Sequence, residues 1–264
     1  MSAPGFTLRF ISMEKKKVYF VSDLHLGIPD HASSLEREKL LVAWLDTIMP
    51  NAEALFLMGD LFDFWFEYTT VVPKGFVRFL GKLAQFTDAG IPVHLFRGNH
   101  DLWAFDYLEK EVGVQLHRDA VIWKLQGKHF YLAHGDGLGP GDLQYKILKK
   151  IFEFRPNQLL FRWLHPDLGA RLGNYFSRKS RLSKLAYAHQ PEVSFNKEKE
   201  MLFQYAQQKA ALHPEVDYFV FGHRHIPLEL AINEKSTLVI LGDWISHLTY
   251  AVFDNGLMQI KTYQ

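Results

Sequence analysis

The chain has 264 residues, of which 48% are hydrophobic, and this is enough for a large α/β domain with a buried core. That hydrophobic fraction excludes a disordered or fibrous protein, and the absence of cysteine excludes disulfides, a thiolate zinc site and a cysteine nucleophile. The formal net charge of +1 argues against general nucleic-acid binding, so we expect no nucleic-acid partner.

The N-terminal segment is expected to precede the first core strand rather than to direct secretion. It lacks the charged-then-apolar order of a signal peptide, and Glu14 interrupts it. We interpret residues 1–16 as an N-terminal extension and residues 17–264 as one domain. No apolar run approaches the roughly 18 residues that a membrane-spanning helix requires, and the lack of cysteine is compatible with a reducing cytoplasm. A cytoplasmic location is therefore expected.

In the first half of the chain, strand-like apolar runs alternate with segments of helical periodicity. Helices are predicted over Leu35–Met49 and over roughly Phe76–Asp88, each between two such runs. From Gln115 onward the pattern changes to strands joined by short turns, such as the one at Gln126-Gly127. Helix-separated strands followed by hairpin strands predict two sheets packed face to face, with helices on the outside.

Five of the predicted strands end in small residues that are followed at once by side chains able to bind a metal. In the central one, the apolar run Ala54–Met58 stops at Gly59, and the carboxylate of Asp60 follows. Open α/β sheets carry their ligand sites at the carboxyl ends of the strands, so these five ends are expected to converge. The five groups are Asp23-Leu24-His25, Gly59-Asp60, Gly98-Asn99-His100-Asp101, His134-Gly135-Asp136 and Gly222-His223-Arg224-His225.

The residue types of these groups indicate a metal centre. Oxygen and imidazole ligands without sulfur suit Mn²⁺, Fe²⁺, Zn²⁺ or a similar ion. Ligands from five loops around one carboxylate that can bridge, here Asp60, suit a pair of ions about 3.5–4 Å apart, which clamps a phosphoryl group during in-line attack by water. A single Asp-x-His has little predictive value, but five such motifs in order, each at a predicted strand end, predict a metal site.

The order D-x-H, GD-x-x-D, GNHD, HGD, GHRH resembles the calcineurin-like metallophosphoesterase superfamily over residues 17 to about 262. Three segments are similar to the UDP-2,3-diacylglucosamine diphosphatases of lipid A synthesis. They are GDLFDFW, HGDGLGPGD and the later SRKSRLSK. The resemblance implies an α/β protein, a four-layer α/β/β/α sandwich of two mixed β-sheets, with a helical insertion (a cap, or lid) over about residues 140–212. It also implies two divalent ions as cofactors, Mn²⁺ in the first place, with Fe²⁺, Zn²⁺ or Mg²⁺ as alternatives.

The resemblance also implies a ligand set for each ion. One ion would be held by Asp23, His25, Asp60 and His225. The second would be held by Asp60, Asn99, His134 and His223. Asp60 and His100 would be catalytic, since the histidine at position 100 lies near the leaving group in the general superfamily pattern. The best-characterised branch of the diphosphatases has arginine at this position instead.

Several acidic residues lie beside the ligand motifs. Asp63, Asp101 and Asp136 are expected to orient ligands or backbone groups rather than to bind metal. Asp243 ends another predicted strand, and a role in its turn is favoured over a place in the site.

The stretch of residues 140–190 differs from the rest of the chain in charge. It carries ten basic and three acidic residues, a net charge of +7, which leaves −6 for the remainder. Bulky apolar residues lie between these charges, a combination that suits a membrane surface or a lipid phosphate. The residues alone favour a helical excursion whose aromatic side chains pack inward and whose charges are solvated, because amphipathic helices usually face a core.

Candidate contacts with a substrate come from this stretch and from the strand ends. Trp65 follows the Asp60 loop and is interpreted either as core or as the wall of an acyl-chain groove. Arg224 lies between two ligands, where a phosphate contact and an outward structural role are both open. The full set of candidates is Asn99, His100, Arg178, Lys179, Arg181, Lys184, Trp65 and Arg224.

With the resemblance, the expected function is hydrolysis of the pyrophosphate of UDP-2,3-diacylglucosamine to UMP and 2,3-diacylglucosamine 1-phosphate. The expected partners are this nucleotide-linked lipid and the inner face of the cytoplasmic membrane, where the protein would be peripheral. One alternative is the same metal chemistry on a soluble phosphodiester or phosphomonoester. Another is a protein-binding scaffold with a decayed metal site, against which the complete ligand set argues.

Overall fold

The computed structural model describes residues 17–141, 143–188, 197 and 200–264, and from 179 to 188 it describes the backbone alone. The extension predicted over residues 1–16 lies outside these residues. The elements in chain order are β1 (Lys17–Val21), α1 (His31–Ile48), β2 (Ala52–Leu57), α2 (Val77–Asp88), β3 (Val93–Phe96), α3 (Tyr107–Val112), β4 (Gln115–His117), β5 (Val121–Leu125), β6 (Lys128–Leu132), α4 (Leu143–Glu153), α5 (Arg155–Arg162), α6 (Pro166–Ala188), α7 (Met201–Leu212), β7 (Tyr218–Phe221), β8 (Pro227–Ala231), β9 (Thr237–Leu241), β10 (Thr249–Asp254) and β11 (Leu257–Thr262).

The strands form two mixed sheets, as predicted. The first has the order β11-β10-β1-β2-β3-β4, in which β1 to β4 are parallel, β10 pairs antiparallel with β1, and β11 pairs antiparallel with β10. The second has the order β5-β6-β7-β9-β8, with three parallel strands between two antiparallel edge strands. The parallel strands β1, β2, β3, β6 and β7 are those that run into the five ligand motifs.

Alternation along β1 shows how the layers are stacked, because successive side chains of a strand point to opposite faces. Tyr19 and Val21 belong to the apolar cluster under α1 and α2, together with Trp44. Val18 and Phe20 instead face the second sheet, where Phe20 stacks on Phe130 with ring centroids 5.8 Å apart. A third apolar cluster joins the outer face of the second sheet to α7. Three clusters between four layers confirm the predicted α/β/β/α sandwich.

The helices between β6 and β7 differ in how they pack. Leu202 and Phe203 of α7 are buried against the second sheet, so α7 forms the outer layer of the sandwich although it lies within the predicted cap range of about 140–212. In contrast, α4 and α5 contain no buried residue. Among the described helices, none combines the length and the apolar character that a bilayer span requires.

Asp101 ties together two of the loops that leave the first sheet. Its carboxylate is buried and accepts the N–H of Gly98 at 2.6 Å and the N–H of Leu61 at 2.8 Å. These two donors follow β3 and β2 respectively, so one side chain sets the separation of the two strand ends. Burial and the nearby Asp60 raise the pKa of Asp101 to about 6.

We expect Asp101→Asn to destabilise the protein by about 1–3 kcal/mol, because the amide NH₂ of asparagine would face one of the two N–H donors and leave it unpaired. Urea unfolding of the metal-free protein measures this. Asp106→Asn is the matched control, since Asp106 is 59% exposed and pairs with Lys110 on the surface. Equal midpoints for the two variants would refute the role given to Asp101.

Candidate metal centre

The strand-end loops place the predicted metal ligands in two adjacent clusters. Asp23, His25 and His225 form one, with one ligand atom of each lying within 4.8 Å of the others. Asp60, His134 and His223 form the other by the same measure. They contain the residues that the resemblance implies as ligands, except that Asp60 is not in the first cluster and Asn99 is not in the second. His25, Asp63 and His100 form a third group by the same measure.

Asp60 lies between the two clusters. Its Oδ2 is 3.6 Å from Nε2 of His25 and 3.3 Å from Nε2 of His134. Its other oxygen, Oδ1, accepts the backbone N–H of His100 at 2.8 Å. One carboxylate oxygen is thus fixed by the protein, and the other faces imidazoles of both clusters, which is the arrangement that a bridging ligand needs.

Several ligand atoms are buried without a hydrogen-bond partner among the residues that the structure describes. Buried polar atoms are normally paired, so a group of unpaired polar atoms among the predicted ligands indicates a bound ligand. The donor set contains oxygen and imidazole nitrogen, which suits Mn²⁺, Fe²⁺ or Zn²⁺. These residues therefore fit a divalent metal. The atoms are Asp23 Oδ1, His25 Nε2, Asn99 Oδ1 and His134 Nε2.

The backbone at the site is strained in a way that turns these side chains inward. Five of the predicted ligands have φ in the left-handed region, which costs a non-glycine residue about 1–3 kcal/mol and persists only where the surroundings hold it. The loops of Asp23 and Asp60 are held by continued backbone pairing beyond the strands, from the N–H of Asp23 to Gly59 O at 3.0 Å. The five values of φ are 55° at Asp23, 43° at His25, 55° at Asp60, 68° at His223 and 55° at His225.

Glycine at two of the strand ends allows the loops to approach one another. A Cβ atom on Gly98 would lie 2.5 Å from the backbone nitrogen of Asp60. A Cβ atom on Gly222 would lie 2.6 Å from Oδ2 of Asp23. Both positions therefore require glycine because the ligand loops are in direct contact there.

Hydrogen bonds behind the ligands fix which atoms face the centre. Nδ1 of His134 is 2.7 Å from Met58 O and so carries a proton that it donates, which leaves Nε2 as the ligand atom. Oδ2 of Asp23 accepts the N–H of His223 at 2.8 Å, which leaves Oδ1 toward the imidazoles. Such supporting contacts orient metal ligands in many proteins.

The electrostatics of the metal-free centre are those of a site that attracts cations. Burial alone would raise the pKa of Asp60, but the imidazoles of His134 and His100 lower it well below its usual value. Burial alone would lower the pKa of His134, but Asp60 raises it to about 10. A proton on His134 thus balances the carboxylate, and a metal ion would have to displace it.

Asp63 and Asp136 lie beside the ligands in different ways. Oδ1 of Asp63 is 3.7 Å from Nδ1 of His25 and 3.8 Å from Nδ1 of His100, so Asp63 lies behind both imidazoles. Asp136 accepts hydrogen bonds from Tyr145 Oη at 2.5 Å and Lys149 Nζ at 2.8 Å. Its carboxylate therefore fastens α4 to the loop that carries His134.

His100 lies at the edge of the centre and in contact with the helices between β6 and β7. Its ring centroid is 4.7 Å from that of His25. Its Nδ1 is 2.7 Å from Asp63 O, to which it donates, and 3.3 Å from Oγ of Ser177 on α6. Because Nδ1 carries the proton, Nε2 is the atom through which His100 can exchange a proton or hydrogen-bond a substrate.

Of the remaining candidate substrate contacts, Trp65 is not available to a substrate. Its side chain is fully buried, stacks on Phe62 with centroids 4.3 Å apart, and donates Nε1–H to Glu67. The core interpretation is therefore correct, and the acyl-groove interpretation of Trp65 is wrong. Arg224 is ion-paired with Glu200 at 2.9 Å, and its side chain is 38% exposed.

The basic candidates lie on α6. Arg178 is exposed. Lys179, Arg181 and Lys184 fall where the backbone of the helix is described and the side chains are not, so their contacts lie outside the described residues.

The apolar side chains of α4 to α6 are divided between contact with the core and solvent. Phe161 packs on Phe66 and on Trp103, each at 4.7 Å between centroids, as expected for an inward-facing aromatic side chain. Most of the others face solvent: twelve of the twenty large hydrophobic residues recorded as exposed lie between 143 and 176, and Trp163 is 89% exposed. Among the side chains that the structure describes, which end at residue 178 in this stretch, the expectation that the apolar ones pack inward therefore holds for a minority.

Sequence reasoning missed one supporting residue and gave too little weight to another. Arg37 of α1 is buried and donates to the carbonyls of Leu24, His25 and Ile28 at 3.0, 2.7 and 2.6 Å, so it holds the loop that carries His25. Nothing local distinguishes Arg37 from a solvated helical arginine. Asp243 had a signal, a Gly-Asp pair at a strand end, and its Oδ2 lies 3.3 Å from Nδ1 of His225.

Comparison with known proteins gives relatives over most of the chain. Two relatives are each named UDP-2,3-diacylglucosamine hydrolase. One, from Porphyromonas gingivalis, is 40% identical over 95% of this chain and 98% of its own length. The other, from Histophilus somni, is 28% identical over 87% of this chain and 92% of its own length.

A phosphoesterase from E. coli is a structural neighbour at a TM-score of 0.45 and 14% identity, covering 93% of this chain and 92% of that one. The model of the calcineurin-like phosphoesterase family matches residues 16–227, which is most of the chain. The chain belongs to the calcineurin-like phosphoesterase family.

Proposed function

We propose that this chain is a dinuclear metal-dependent hydrolase that cleaves UDP-2,3-diacylglucosamine to UMP and 2,3-diacylglucosamine 1-phosphate. The observation that carries the proposal is the contact between His100, beside the candidate metal centre, and Ser177 of an apolar and basic set of helices. A relative that bears the name of this activity is similar over 95% of this chain. We call α4, α5 and α6 the cap.

The two ions would be held as the clusters suggest. Asp23, His25 and His225 would bind the first, with Asp60 shared. His134, His223 and Asn99 would bind the second. Mn²⁺ is the ion we favour, with Fe²⁺, Zn²⁺ and Mg²⁺ as alternatives. Two such ions supply the Lewis acidity that activates a water molecule and neutralises phosphate charge.

His100 is the residue that we place beside the leaving group. Nδ1–H of His100 donates to the backbone carbonyl of Asp63, and the backbone N–H of His100 donates to the carboxylate of Asp60. These two hydrogen bonds fix the imidazole ring relative to the Asp60 carboxylate. From that position the doubly protonated ring can donate a hydrogen bond or a proton from Nε2 to the departing oxygen of the sugar phosphate, because the proton on Nδ1 is held by Asp63 O. Asn99 in the same loop would contact the phosphate as well as the second ion.

The cap would provide the lipid specificity. Its exposed apolar side chains suit acyl chains and the surface of a bilayer, while Arg178, Lys179, Arg181 and Lys184 suit phosphate groups. Each buried methylene contributes about 0.8 kcal/mol, so two acyl chains would dominate binding over the nucleotide sugar alone. We accordingly propose a cytoplasmic protein that is peripheral on the inner face of the inner membrane.

Asp60→Ala removes a ligand from both ions, whereas Asn99→Ala removes one neutral ligand from one. We expect Asp60→Ala to bind far fewer than two ions per chain and to lose activity, and Asn99→Ala to keep at least the first ion. Metal analysis after dialysis against Mn²⁺ measures this. Two ions still bound to Asp60→Ala would end the bridging assignment.

His100→Ala should retain both ions, since His100 is not in the ligand set, and kcat should fall by about 10²–10⁴-fold because positioned acid–base catalysis is lost. Steady-state kinetics with metal analysis of the same sample tests this. A parallel loss of metal and of rate would instead make His100 a ligand or a structural support.

The substrate prediction compares UDP-2,3-diacylglucosamine with UDP-N-acetylglucosamine. We expect kcat/KM to be at least about 10³-fold higher for the lipid, since a gain of 1.4 kcal/mol corresponds to tenfold and several methylenes are buried. Equal values would refute the lipid assignment and favour a soluble phosphoester substrate. Absence of hydrolysis for both compounds and for a nitrophenyl phosphate diester, with Mn²⁺ bound, would favour a scaffold.

The cap prediction uses variants on its surface. Leu160→Ser with Trp163→Ser, and separately Arg178→Ala with Arg181→Ala, should each lower kcat/KM for the lipid by about tenfold or more and spare a nitrophenyl ester. Val77→Ser is the matched control, because Val77 is 74% exposed on α2, outside the cap. Loss of both reactions in either double variant would contradict a role confined to the lipid.

A further inference from the structure

Asp243 follows β9 and lies against the cluster proposed for the first ion. Its side chain is buried, and its two oxygens face different groups. Oδ1 accepts the N–H groups of Ile245, Ser246 and His247 at 3.0, 2.7 and 3.1 Å, which closes the turn after the strand. Oδ2 takes no part in that turn and lies 3.3 Å from Nδ1 of His225.

His225 needs such a contact more than the four fully buried ligands do. Its side chain is 32% exposed, whereas those of Asp23, His25, Asp60 and His134 are at most 2% exposed. A partly exposed imidazole has few packing contacts to fix its rotation about the Cβ–Cγ bond. Stacking on His25, at 5.0 Å between centroids and 20° between ring planes, sets the plane of the ring but not which nitrogen faces inward.

The supports of the two clusters also differ in charge. Nδ1 of His134 donates to a neutral backbone carbonyl, that of Met58. Nδ1 of His225 instead faces a carboxylate, and a hydrogen bond to a charged acceptor is about twice as strong as one between neutral groups. A carboxylate also makes the distant nitrogen a more basic ligand. Nε2 of His225 lies 3.4 Å from Oδ1 of Asp23, on the side of the candidate ion.

We propose that Asp243 is a positioning residue that binds Nδ1–H of His225 and thereby presents Nε2 to the first ion. This inference rests on the metal centre of the proposed function. According to this inference, Asp243 raises the affinity of the protein for one of the two ions, although it is a ligand of neither. Oδ2 of Asp243 is also 3.4 Å from Nδ1 of His247. The side chain of His247 is 42% exposed and is not one of the predicted metal ligands.

Asp243→Asn separates the two roles of the carboxylate. Its amide oxygen can still accept the three turn N–H groups, while its NH₂ would face Nδ1 of His225 and favour the tautomer whose Nε2 carries the proton. We expect the dissociation constant of one Mn²⁺ to rise by about 10–100-fold, the other to stay within about twofold, and the metal-free protein to unfold at the wild-type temperature. Calorimetric titration of the metal-free protein measures both constants.

Two further variants make the test specific. His247→Ala removes the other imidazole from the same carboxylate and should bind both ions as the wild type does. In a His225→Ala background, Asp243→Asn should cause no further loss of affinity, because the ligand that it positions is absent. Unchanged affinity in Asp243→Asn, an equal loss for both ions, or an additive loss in the double variant would each overturn the proposal.

A measurement on the wild type covers the case in which Asp243→Asn does not fold. Nitrogen-15 NMR of histidine-labelled, metal-free protein, with His225→Ala for assignment, should show neutral His225 protonated on Nδ1, and protonation on Nε2 would overturn the proposal. None of these readouts uses a substrate. A wild type that binds two ions without hydrolysing UDP-2,3-diacylglucosamine would therefore refute the proposed function alone.

Discussion

The site depends on one buried carboxylate that faces imidazoles on two sides. Oδ2 of Asp60 lies within 3.6 Å of ring nitrogens from two different clusters, while Oδ1 is fixed by a backbone N–H. A buried carboxylate is costly unless it is paired, so the loops that carry the imidazoles must stay close to it. The metal-free centre satisfies this demand with a proton on His134, and a divalent ion would satisfy it more completely.

The two sheets of the sandwich hold the backbone of the metal centre in a strained conformation. Five ligands in left-handed backbone conformations would relax if their loops were isolated, and the summed strain is of the order of several kcal/mol. The loops remain because each follows a buried parallel strand and is tied to its neighbours, as by the carboxylate of Asp101 and the guanidinium of Arg37. Glycine at positions 98 and 222 allows the contact. The strained geometry is thus a property of both sheets together.

The sequence revealed the metal centre because its signal is local: an apolar run, a glycine and a ligand side chain, repeated at five strand ends. The sheets followed from alternation and turn residues in the same way. Contacts made across the fold left no such pattern. Arg37 looks like any helical arginine, and Trp65 follows a ligand loop yet points into the core. The resemblance implied a helical insertion over about residues 140–212. The sequence of this stretch does not tell whether an apolar helix face is covered, and many of its described apolar side chains are exposed.

The cap contacts the loops of the metal centre through a few aromatic side chains and one hydroxyl group. Phe161 packs on Phe66 and on Trp103, which follow the loops of Asp60 and His100 respectively, and Ser177 touches His100 itself. Asp136, two residues beyond His134, holds α4 through Tyr145. The loops that position the metal ligands are therefore the loops on which the cap rests. A shift of the cap would displace His100 more than Asp60. His100 is in contact with the cap, whereas Asp60 is enclosed by both sheets.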